Sequence, residues 1–131
     1  MDELFDLGLS DETLKNMIEL NPLIMKLSNE EVLDKINLLK SINCSSNQIS
    51  NIIGSNSMLL TRSNTDIIKL INYLNGLGFS SLNILFDSNP YILNLDIFEI
   101  KNYIEDRISN GELLEDIIDD LDSNTYLFNE I

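Results

Sequence analysis

Apolar residues recur along this chain at the three- and four-residue spacing that lines one face of an amphipathic helix. The spacing predicts helices over Asp11–Leu20, Ser46–Ser55 and a shorter Ser81–Ser88, alternating with longer ones over Asn29–Lys40, Asn64–Asn75 and Ile97–Ser109. Ser10, Ser45 and Ser80 stand before the first set as N-caps, and Ser45 with Gln48 has capping-box spacing. Ser28 with Glu31, Ser63 with Asp66 and Asp96 with Glu99 repeat that spacing before the longer helices. Gly76, Gly78 and Gly111 follow the second and third long helices, where a left-handed residue closes a helix.

These helices belong to a repeat. An asparagine returns at Asn21, Asn56, Asn89 and Asn124, followed each time by an apolar triplet: Leu23-Ile24-Met25, Met58-Leu59-Leu60, Tyr91-Ile92-Leu93 and Tyr126-Leu127-Phe128. Val32, Ile67 and Ile100, and then Ile36, Ile71 and Ile104, keep the same register. In Asn21-Pro22 and Asn89-Pro90 the asparagine reads as the N-cap of a short helical turn, with proline at its first position. A period of 33 to 35 residues is that of a helical solenoid, whose modules bury their apolar faces only by stacking. The expected fold is therefore all-α, a right-angled stack of helix–turn–helix modules forming a short α-solenoid. It would be one domain over residues 1–131, with modules at approximately 7–41, 42–76 and 77–110 and a truncated fourth at 111–131.

Twenty-two acids against eight bases give a net charge of −14. That balance opposes general attraction to phosphate backbones or anionic membranes. The acids gather at the ends: residues 1–12 hold five and no base, and residues 105–131 hold nine against one arginine. The single cysteine, Cys44, forms no intramolecular disulfide and sits in the column of Leu9 and Phe79, which reads as core. A reducing, cytoplasmic setting is expected, since Met1–Asp6 also lacks the basic region of a secretory signal. No apolar run reaches the roughly 20 residues of a membrane span.

The modules resemble those of the mitochondrial transcription termination factor (mTERF) family. Leu7-Gly8-Leu9-Ser10, Pro22 and Leu23-Ile24-Met25 match that family's unit, as do Leu77-Gly78-Phe79-Ser80, Pro90 and Tyr91-Ile92-Leu93. The second module departs, with Asn43 in place of glycine and Ser57 in place of proline. The resemblance implies a curved helical solenoid and, in most members, a basic concave groove that holds double-stranded nucleic acid. This chain lacks that overall charge and has fewer modules than most.

Two sets of residues compete as sites. Glu112, Glu115, Asp116, Asp119, Asp120 and Asp122 recur at three- and four-residue spacing, so several carboxylates share one side of a helix. They form either the polar exterior of a terminal module or an anionic face for a basic protein, including one that normally handles nucleic acid and is blocked by charge mimicry. Lys26, Lys35, Lys40, Arg62 and Lys69 are the counterweight, of which Lys35, Lys40, Arg62 and Lys69 are the candidate contacts for nucleic acid. A basic-protein partner is the leading expectation and direct nucleic-acid binding the alternative. A third is a homodimer through an exposed apolar end at Tyr126, Leu127, Phe128 and Ile131. The remaining methionines and aromatics, Met1, Met17, Met25, Met58, Phe79, Tyr91, Phe98 and Tyr103, read mostly as core. With no histidine, no phosphate-binding glycine loop and no metal-ligand spacing, no catalytic residue, cofactor or metal site is assigned.

Overall fold

The computed structural model describes residues 2–131, with side chains from Glu3 onward, and is all-α, without a strand among those residues. Eight α-helices run α1 (Asp2–Asp6), α2 (Asp11–Leu20), α3 (Asn29–Ser41), α4 (Ser46–Ser55), α5 (Asn64–Leu77), α6 (Leu82–Ser88), α7 (Ile97–Ser109) and α8 (Leu114–Ser123). Four 3-10 helices punctuate them: η1 (Pro22–Lys26) after α2, η2 (Ser57–Thr61) after α4, η3 (Pro90–Asn94) after α6 and η4 (Thr125–Glu130) after α8. This is the helical repeat that the periodicity predicts.

The chain divides into two compact units, Met1–Asn64 and Thr65–Ile131. In the first, Leu4, which the periodicity did not place in an element, is buried as α1 packs on α3. Met17, Ile24, Val32, Leu39, Ile49, Ile52 and Leu59 are among the residues of that core, and Cys44 is buried as well. In the second, Leu70, Leu74, Leu85, Phe86, Ile92, Ile100, Ile117 and Leu121 are buried.

Local chemistry explains most helix starts. The Ser10 hydroxyl accepts from Thr13 N, Ser28 from Glu31 N, and Ser45 with Gln48 closes a complete capping box. Ser80 is not the cap of α6, because that helix begins at Leu82; Ser81 holds the cap position without a side-chain bond. Asp96 caps α7 on Phe98 N rather than on Glu99. Gly76 lies inside α5, and Gly78 closes that helix at φ +101°. Gly8, Asn43, Gly78 and Gly111 form one column of the repeat, and all four have positive φ. The second module's Asn43 thus keeps the conformation with the side chain that tolerates it best after glycine.

The repeated asparagines work differently from the caps read in the sequence. None of the four caps its own 3-10 helix with a side-chain hydrogen bond. Asn21, Asn56 and Asn89 are buried. Asn21 Nδ2 donates forward to Ser57 O (3.1 Å) and Thr61 Oγ1 (2.9 Å), in the next module of the first unit. Asn89 Nδ2 does the same in the second unit, to Thr125 O (2.9 Å) and Asn129 Oδ1 (3.0 Å). Asn124, in the last module, is exposed.

The apolar triplets also divide. Leu23, Met58, Tyr91 and Tyr126, the first members, all face solvent, and so do Met25 and Phe98. Phe128 is fully buried against Phe79, with ring centroids 6.1 Å apart. The expected apolar end therefore shrinks to Tyr126, since Leu127 and Ile131 are half-buried. Met1 lies outside the described residues.

Candidate functional site

Helix α8 buries Ile117, Ile118 and Leu121, which turns its carboxylates outward. Glu115, Asp116, Asp119, Asp120 and Asp122 are exposed, while Glu112 stands half-buried in the connection from α7. Arg107, near the end of α7, divides this set. Its Nε and Nη2 grip both oxygens of Glu112 at 2.9 and 2.5 Å, and Nη2 also reaches Asp120 Oδ2 at 2.6 Å. Nη1 donates to Tyr103 Oη at 3.1 Å, and the guanidinium lies over the Tyr103 ring. Glu112 and Asp120 are thus internal ion partners tying α7 to α8. Glu115, Asp116, Asp119 and Asp122 remain as the outward anionic face.

This tie carries a pH dependence. The hydrogen bond from Arg107 holds the Glu112 carboxyl below its ordinary value of 4.5, outweighing burial. The guanidinium, bonded to Glu112 and then Asp120, is pushed up and stays charged. A carboxyl depressed in the folded state stabilises above its unfolded value and loses that effect as pH falls through the folded one. Arg107→Gln should therefore melt lower than wild type at neutral pH, with the gap closing below about pH 4.5. Thermal melts followed by circular dichroism across that range check it; a gap unchanged in acid would assign Arg107's role to packing on Tyr103.

The candidate cations separate. Lys35, on α3, is only 7% exposed, and its Nζ donates to Asn64 Oδ1 at 2.6 Å. Burial lowers its pKa from 10.5, with Asp34 and Glu31 partly opposing. Lys35 and Arg62 do meet, joined by Lys26, around a cleft of about 400 Å3 in the first unit, where Leu23, Leu27 and Leu60 supply apolar wall. Glu31 and Asp34 line the same cleft. Lys40 lines a different hollow with Glu3 and Asp6, and Lys69 is exposed on α5 in the second unit. Lys35 and Arg62 thus share a cleft that Lys40 does not line, and no local pattern in the sequence marks Lys35 as recessed.

Among the described residues no three acids or cysteines converge as metal ligands, and no helix is long and apolar enough to cross a membrane. The family model described as mTERF matches residues 2–117. No curated protein matches the chain.

Proposed function

The chain belongs to the mTERF family, and from that premise we propose that it is a non-catalytic helical-repeat protein that binds a basic macromolecular partner through α8. The observation that carries this reading is the exposed face of Glu115, Asp116, Asp119 and Asp122, left over after Arg107 has engaged Glu112 and Asp120. The second unit holds thirteen acids against three bases, the first nine against five, so a cationic partner is drawn to the second. A cationic partner relieves the mutual repulsion among those carboxylates. A protein whose own ligand is nucleic acid fits that face, because spaced carboxylates stand in for phosphates.

The test is fluorescence anisotropy with labelled polylysine as the basic probe, at low and high salt. Four surface charge pairs at the usual few tenths to one kcal/mol each predict that E115Q/D116N/D119N/D122N weakens binding by about ten-fold or more and flattens the salt dependence. Equal binding by wild type and variant would overturn the reading.

A second reading is direct nucleic-acid contact in the first unit, as the family membership suggests. It is supported by the cleft that gathers Lys26, Lys35 and Arg62. At a Debye length of about 8 Å, acids elsewhere on the molecule are screened from such a patch.

A further inference from the structure

We propose that the Lys26–Lys35–Arg62 cleft takes the terminal phosphate of a nucleic-acid strand, a phosphate monoester with its nucleotide, rather than a run of internal backbone. The inference develops the second reading above and is independent of the α8 face.

Three observations converge. The first is depth. Lys35 is more than nine-tenths buried, yet it lines the cleft. A phosphodiester backbone lying across the surface meets exposed cations such as Lys26; to meet Lys35 a group must enter. A strand end carries its phosphate free of a continuing backbone and so can enter.

The second is unspent hydrogen-bonding capacity. An ammonium carries three N–H donors. One Lys35 donor is held by Asn64 Oδ1, which fixes the head group in place, while Asp34 and Glu31 offset its desolvation only in part. Desolvation at this site works against the ammonium, and an entering anion relieves that penalty. Lys26 comes from the end of η1 and Arg62 follows η2, so cations approach from separate elements. With Lys35 they make three cations that line the cleft beside Glu31 and Asp34, a lining that suits a charged group better than a neutral one.

The third is the apolar wall. Leu23, Leu27 and Leu60 share the cleft with the cations. A volume of about 400 Å3 falls in the range of small-ligand sites and leaves room beside the phosphate for the sugar and base that carry it.

The probes are two single-stranded oligonucleotides of one sequence, labelled at the 3′ end, one with a 5′ phosphate and one with a 5′ hydroxyl. Anisotropy should show the phosphorylated strand binding about ten-fold tighter, the scale of one or two charge-assisted hydrogen bonds. Millimolar inorganic phosphate should compete. Lys35→Met should erase the preference with the thermal melt no lower than wild type, since the substitution removes a buried charge and keeps the stem. Arg62→Gln, on a more accessible side chain, should reduce the preference without touching the core. The α8 quadruple variant should leave it unchanged, so failure here and failure of the basic-partner reading are separately visible. Equal binding of the two strands, or binding to neither, overturns the proposal. A phosphoserine peptide that binds as tightly as the phosphorylated strand overturns the assignment to nucleic acid.

Discussion

Phe128→Ala is expected to lower the unfolding free energy by about 3–5 kcal/mol, the range for emptying a buried phenylalanine site. The Phe128 ring is fully buried in the second unit and meets Phe79 at 43°, a tilted arrangement that adds to the apolar area removed from water. Phe79 is itself buried, just after the left-handed Gly78. Truncation would leave a void lined by that ring. Tyr126→Ala, two positions away in the same 3-10 helix, should cost no more than about 0.5 kcal/mol because Tyr126 is 69% exposed. Urea unfolding followed by circular dichroism would measure both; similar midpoints for the two variants would refute the buried position of Phe128.

That contrast shows where the sequence could be read and where it could not. The long helices, the caps at Ser10, Ser28 and Ser45, and the modules follow from periodicity and side-chain chemistry within a few residues of one another. Such features survive whatever the distant parts of the chain do. The apolar triplets do not: in a 3-10 helix positions three apart eclipse, so three consecutive residues point three ways and cannot all reach the core. Leu23, Met25, Met58, Tyr91 and Tyr126 are the members that turn outward, and hydrophobicity alone does not mark them.

The site was legible to a similar depth. The acidic stretch on one helix was visible as spacing, but Arg107's choice of Glu112 and Asp120 depends on how α7 meets α8. The recess of Lys35 depends likewise on Asn64, 29 residues away. Lysine's long stem lets it be either a surface charge or a wall of a cleft, and only packing decides between them.

The asparagine column offers the sharpest separation of a local from a long-range role. Asn21→Ala and Asn89→Ala should each cost about 1–3 kcal/mol, because each leaves a buried backbone carbonyl, Ser57 O or Thr125 O, without its donor. The two bonds lie in different units and share no partner, so the double variant should lose the sum to within about 0.5 kcal/mol. Asn21→Asp should be worse than Asn21→Ala at neutral pH, since a carboxylate there would turn an acceptor toward the Ser57 carbonyl in a buried setting. Lowering the pH should recover part of that loss, because the protonated acid regains one donor. Asn124 occupies the same column and heads η4 in the same backbone conformation, yet it is exposed and makes no side-chain cap bond. Asn124→Ala should therefore be nearly silent. If capping were the work of this column, all the alanine variants would weaken the protein alike; if bridging between modules is, only the buried, bridging Asn21 and Asn89 will matter, and urea midpoints for Asn21, Asn89 and Asn124 variants measured side by side decide between the two.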